Sequence, residues 1–173
     1  MARVIIPGIS VSTGIAIGKA FFLNRNRTAH LPRLTVAEEA VAHEAERLAQ
    51  AFLQAEDELA AARDKVPAEL KEHRLIIDSH LMMLKDPKLR NAARAYITDM
   101  RLNAEWALEK ALGDLEKTFG ALDDVYIRER MQDVRFVIVK VQSHLIGQDK
   151  DLRSIEGRVI IMAHDLTPAD TVE

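Results

Sequence analysis

The sequence predicts a mostly α protein, a helical bundle with short strands at both ends of the chain. Three observations predict it. Three of the seven glycines fall between Gly8 and Gly18 and the next is Gly113, so residues 19–112 contain none. That stretch is rich in Ala, Leu, Glu, Lys and Arg, the composition of helices. Apolar residues through the middle of the chain recur at alternating steps of four and three, the seam of packed helices. At the ends, Arg3–Ile6, Ile15–Leu23 and Arg158–Ala163 are short runs rich in Val, Ile and Phe, most of them bounded by turn residues, and they read as strands.

The elements follow in order. Gly14 and Gly18-Lys19 invite a phosphate-loop reading, but three residues separate the glycines where four are needed, and Ala20 follows the lysine instead of Ser or Thr. A turn between two strands fits better. Thr35-Val36-Ala37-Glu38 has the spacing of a capping box and predicts a helix start. From there Val41, Ala45, Leu48, Phe52, Ala55, Leu59 and Ala62 mark one long helix, ending at Lys65–Val66 because the residue before Pro67 is pushed out of the α region. A second helix is expected from about Ala68 to Leu84. Asp86-Pro87 starts a third, with Asp as N-cap and Pro at the first position, where its missing N–H costs nothing. A fourth spans about Asn103–Phe119, with Leu108, Leu112, Leu115 and Phe119 on one stripe and Gly113 inside it. Phe136–Val141 looks locally like a strand, since β-branched residues favour sheets. The wider window decides for a helix from about Asp123 to Ile146: Ile127, Met131, Val134, Ile138, Val141 and Leu145 keep the four-three step, and Gly147 suits the stop.

Composition narrows the function. There are 173 residues, 48% hydrophobic and 29% charged, enough for one domain with a real core. No cysteine is present, which excludes disulfides, a thiol nucleophile and Cys-ligated metals. A net charge of −3 gives no argument for nucleic acid, and no run approaches a membrane span. The charge is nonetheless uneven: residues 1–34 carry +5 and no acid, leaving −8 for the rest. The N-terminus does not match a secretory signal, so a cytoplasmic protein is expected.

The six histidines are scattered, and His73 and His80 lack the i, i+4 spacing of a helical metal site. Nothing around His80 supplies a glycine-rich cradle for a phosphoryl group, so it reads as a surface or interface histidine. Leu75–Leu84 stands out. Ile77, Leu81 and Leu84 form one apolar stripe, Ile76, His80 and Met83 a second, and Leu75 and Met82 a third. That arc is wider than the ~100° a surface helix buries. Either the helix is deeply buried or part of the arc docks a partner, a task to which adjacent methionines are suited. Arg130 and Arg135 either dock a partner or are solvated charges or pair within the bundle with Asp123, Glu129 or Asp133.

Four stretches together resemble one family. They are Gly8–Ala20 (GISVSTGIAIGKA), Ser79–Leu89 (SHLMMLKDPKL), Leu122–Arg135 with its Asp123-Asp124, Tyr126, Glu129-Arg130 and Asp133-Val134-Arg135, and Asp165–Thr171 (DLTPADT). In order and spacing they resemble phosphoenolpyruvate–protein phosphotransferase, enzyme I of the bacterial sugar phosphotransferase system, over essentially the whole chain. The resemblance implies a helical bundle inserted into an α/β phosphohistidine swivelling domain that is incomplete here: 1–23 and 148–173 as parts of the α/β domain, 24–147 as the helical subdomain. It implies that the insert docks the histidine phosphocarrier protein, to which the enzyme passes a phosphoryl group from phosphoenolpyruvate through its own histidine. That histidine would lie beyond Glu173. The barrel that binds phosphoenolpyruvate and magnesium, and through which the family dimerises, would also lie outside this chain. No catalytic residue, metal or cofactor is therefore expected here, and no phosphoryl transfer by this stretch alone. By position, the docking surface would include Lys71, Leu75, His80, Met82, Met83, Asp86, Lys88, Leu89, Phe119 and Arg130. Some family members carry acids at the positions of Lys71, Lys85, Pro87 and Lys88, so the choice of carrier is a separate matter from docking. The rival reading is a free-standing helical adaptor whose apolar groove binds a partner helix.

Overall fold

The structure, a computed structural model, describes residues 9, 11–23, 31–120, 125–147 and 159–163. Its elements are strand β1 (Lys19–Leu23), a 3-10 turn (Glu38–Ala40), helices α1 (Val41–Lys65), α2 (Lys71–Lys85), α3 (Pro87–Met100), α4 (Ala104–Gly120) and α5 (Val125–Leu145), and strand β2 (Val159–Ala163). The protein is thus mostly helical, as the glycine-free middle requires. β1 and β2 pair in parallel, Lys19 opposite Val159 and Leu23 opposite Ala163, so the whole bundle is carried between two adjacent strands. Ile160, Ile161 and Met162 are consecutive and all exposed, although successive residues of a strand point to opposite faces.

The long seam is where periodicity placed it. Leu48, Phe52, Ala55, Leu59 and Ala62 of α1 are buried against Ile77, Leu81 and Leu84 of α2, Ala93 and Ile97 of α3, Leu108 of α4 and Val137, Ile138 and Val141 of α5. The β-branched run of α5 is therefore helical. Its three buried positions sit against the bundle core, and burial outweighs the local preference for sheet. α1 ends at Lys65, with Val66 already extended at ψ 123°. Asp86 caps α3 as expected, its Oδ1 accepting the Lys88 N–H at 2.8 Å. Gly147 closes α5 at φ +61°, a left-handed conformation that glycine adopts without strain.

Three expectations need correction. The capping box does not form. The long helix starts at Val41 after a 3-10 turn, and neither N-cap residue, Ala37 nor Ala40, makes a side-chain cap. Thr35 instead forms an antiparallel bridge with Leu102, flanked by Val36 N–H to Arg101 O at 2.7 Å and Asn103 N–H to Leu34 O at 2.9 Å. These long-range backbone bonds hold the chain extended where the local signal asked for a helix start. Arg101 makes them possible by ending α3 in the left-handed region at φ +52°. The second helix begins at Lys71, three residues later than expected, because Val66 N–H to Arg63 O and Leu70 N–H to Pro67 O close tight turns first. The first described strand is Lys19–Leu23 alone, and residues 15–18 are outside it. The expected strand Arg3–Ile6 lies outside the described residues.

Gly113 is an expected weak point. No heavy atom lies within 4 Å of a Cβ built there. Gly113→Ala therefore removes the helix penalty of glycine without a clash, and should stabilise the protein by about 0.5–1 kcal/mol in urea unfolding. A loss of stability would mean that α4 needs glycine for a reason other than space.

Candidate docking surface

α2 divides its wide apolar arc between two roles. Ile77, Leu81 and Leu84 are buried, fixing the helix on α1 and the core. Leu75 and Met82, seven residues and two turns apart, remain 65% and 70% exposed, and Ile76 is exposed beside them. Met83 is half-buried and packs against the core. The helix is thus anchored by one stripe and open along another, so the arc is not buried throughout. Large apolar side chains gathered on one open helix face form a patch of the kind that marks an interaction site.

His80 corrects the surface reading. It is 4% exposed, and its ring packs on Phe136 of α5 at 4.7 Å between centroids. Nε2 stands 3.5 Å from Asp133 Oδ1, too long for a good hydrogen bond, and neither ring nitrogen has a hydrogen-bond partner. Burial pushes the imidazole below its usual pKa, and Asp133 offsets this only in part, so the ring is neutral near pH 7. Its chemistry here is packing: it seats α2 on α5.

The other expected residues are distributed as follows. Lys71, Asp86 and Lys88 are exposed. Leu89 is 6% exposed and belongs to the core, so it supports the patch from below. Phe119 is half-buried near the end of α4. α5 packs on both α4 and α2. Arg130 is exposed and pairs with Asp133 at 3.0 Å. Arg135 reaches across to Glu116 of α4 at 2.7 Å, a partner that sequence reasoning missed because it lies on another helix.

Two buried polar clusters brace the bundle away from this face. Arg47 of α1 binds both oxygens of Glu44 at 2.8 Å, Glu105 Oε1 at 2.6 Å and the Leu145 carbonyl at 3.2 Å. Glu44 Oε2 also accepts the Ala104 N–H at 2.8 Å, capping α4 from another helix. Asn103 donates to Glu105 and to Pro32 O and accepts from Leu34 N–H, tying in the incoming chain. Nearer the middle of α1, Glu58 binds Lys140, and its Oε2 lies 3.0 Å from His144 Nε2. A cavity of about 310 Å³ opens between α1 and the end of α5, lined by His43, Arg47, Gln50, Gln54 and His144 among others. Its strongest cation, Arg47, is already committed to two glutamates, and His144 to Glu58, so it offers little to an anion.

Among the described residues no group of three or more His, Cys, Asp or Glu could hold a metal ion. The described residues do not fit a magnesium site. No helix among the described residues is long and apolar enough to cross a membrane.

A helical insertion between parallel strands, presenting an apolar stripe from one well-anchored helix, defines the class of domain. Residues 7–130 match the family of the PEP-utilising enzyme N-terminal domain, and the chain belongs to that family. It is 37% identical over 173 residues to the phosphoenolpyruvate-protein phosphotransferase of Priestia megaterium, and 39% identical over 170 residues to that of Geobacillus stearothermophilus. Each match covers 97% of this chain and 29% of the relative, so the chain spans under a third of their length. Among solved structures it is similar to a solution NMR structure of Enzyme I, with TM-score 0.76, 30% identity, and coverage of 93% of this chain and 65% of that one. It is also similar to an N-terminal domain of nitrogen Enzyme 1, with TM-score 0.69, 25% identity, and coverage of 92% and 65%.

Proposed function

We propose that this chain is the docking part of a phosphoenolpyruvate–protein phosphotransferase, and that its α2 face binds the histidine phosphocarrier protein. The observation that carries this is the pair Leu75 and Met82, exposed on a helix whose opposite face is locked into the core. A rigid apolar stripe loses little freedom on binding, so its contact area is available as affinity. In this reading residues 24–147 form the docking insert, while 1–23 and 148–173 belong to an α/β domain. The phosphoryl group travels from phosphoenolpyruvate through a histidine of the longer enzyme to the carrier. Magnesium and the donor site belong to that longer enzyme.

His80 is not the phosphoacceptor in this scheme. It is buried and sits inside α2, where the neighbouring backbone amides are committed to i−4 carbonyls and cannot cradle a phosphate. Its role is to position the helix that makes the contact.

Met82→Asp tests the proposal. The side chain is exposed, so the fold should survive, while a charge at the centre of an apolar contact should cost about 2 kcal/mol of binding, or roughly 30-fold. Calorimetric titration with the phosphocarrier reads the affinity, and an amide NMR spectrum reads the fold. Unchanged affinity in a folded variant would remove this face from the interface.

A further inference from the structure

Arg90, in the first turn of α3, ties three helices together at the corner where α2 gives way to α3. The corner leaves one acceptor without a helical donor. Leu84 is fully buried, so its carbonyl has no water to turn to. Pro87, three residues on, has no N–H, and the Lys88 N–H, four residues on, is taken by Asp86 Oδ1. Arg90 supplies the missing donor: its Nε donates to Leu84 O at 2.8 Å. The same guanidinium pairs through Nη2 with Glu56 of α1 and lies over the Phe52 ring, 5.0 Å from its centroid. Phe52 is a core residue, and Glu56 is largely shielded from solvent. The last turn of α2 is thus fastened through Arg90 to the longest helix of the bundle.

From this we propose that Arg90 is a positioning residue for docking: it holds the last turn of α2, with Met82 exposed on it, in the orientation the partner meets. The inference rests on the docking reading above and adds a residue that acts through Leu84 without touching the partner. Met82 stands two residues before Leu84, within one turn, so the carbonyl bond fixes the backbone that carries it. Asp86 and Lys88, exposed at the corner, are set by the same anchor. A contact surface already held in place loses less freedom on binding, and the difference appears as affinity. Lysine does not replace this anchor. The planar guanidinium donates in two directions at once, whereas an ammonium is one point at the end of a flexible stem. At position 90 a lysine keeps Glu56 only by giving up the carbonyl.

The test titrates wild type, Arg90→Gln, Arg90→Lys, Glu44→Ala and Met82→Asp with the histidine phosphocarrier of the same organism, and follows urea unfolding of each. Glu44→Ala is the control for general loosening. It breaks a cluster twelve residues earlier on α1, roughly 18 Å along the helix from Glu56. Arg90→Gln should bind the carrier about 10-fold more weakly. Arg90→Lys should keep most of the stability, through its pair with Glu56, and still bind about 3-fold more weakly. Glu44→Ala should bind as wild type does, although it loses more stability than Arg90→Lys. If Met82→Asp weakens binding but both Arg90 variants bind as tightly as wild type, docking stands and Arg90 positions nothing. If Glu44→Ala weakens binding as much as Arg90→Gln, the effect is loosening of the whole bundle and the positioning role is wrong. If the carrier does not bind wild type, or binds Met82→Asp equally well, the docking reading fails and this inference with it.

Discussion

Glu44→Ala is expected to destabilise the protein by about 3 kcal/mol, the largest effect of any single substitution in the polar framework of the bundle. Glu44 does three things at once. It neutralises Arg47, it supplies the acceptor for the Ala104 N–H, and it fixes the guanidinium that also holds Glu105 and the Leu145 carbonyl. Ala104 is fully buried, so its amide has no water to turn to once the carboxylate is gone. Arg47 keeps Glu105, which is why the cost stays at the low end of the ~3–5 kcal/mol typical of a broken buried pair. Glu44→Gln retains an acceptor for the amide and should recover part of the loss. Urea unfolding of the three proteins measures it. A Glu44→Ala variant within about 0.5 kcal/mol of wild type would show that the cluster adds nothing to stability.

The second large effect depends on pH. Burial by itself would raise the Glu58 carboxyl, but the His144 hydrogen bond and the charge of Lys140 outweigh it and hold the pKa at about 2. In the unfolded chain it returns to the ordinary value near 4.5. A depressed carboxyl pKa contributes stability that is present in full above the unfolded value and is lost as pH falls towards the folded one. The window is therefore from about pH 5 down to about pH 2. A shift of this size corresponds to about 2–3 kcal/mol for a side chain that is largely shielded from solvent. Glu58→Gln should be less stable than wild type by about that amount at pH 7, and the gap should narrow by more than ~1 kcal/mol by pH ~3.5. A gap that stays constant across this range would show that Glu58 contributes by packing and not through its charge.

Part of the candidate site is legible in the amino-acid sequence. Leu75 and Met82 can be singled out because they lie off the stripe that Ile77, Leu81 and Leu84 use for packing, and they are the most exposed apolar residues of α2. His80 and Leu89 cannot be sorted the same way. His80 lies on the stripe beside the packed one and Leu89 on the buried stripe of α3 with Ala93 and Ile97, and Phe136 of α5 and the packed core show that both are covered. Arg135 carries no signal for Glu116, since the two are on different helices and 19 residues apart.

Local sequence was enough for the five helices, the stop before Pro67, the Asp86-Pro87 start and the helical state of Phe136–Val141. Most of these follow from propensity, capping or periodicity within one or two turns, and Phe136–Val141 from the four-three step sustained between Ile127 and Leu145, all within a single helix. What spans a long sequence distance was settled by packing. Thr35 bridges Leu102 instead of capping a helix, Glu44 caps α4 from 60 residues away, and β1 finds β2 beyond the entire bundle. Packing also settled which part of the α2 arc is covered and which stays open. A hydrophobic pattern states that a face can be buried, but the neighbours that bury it come from elsewhere in the chain.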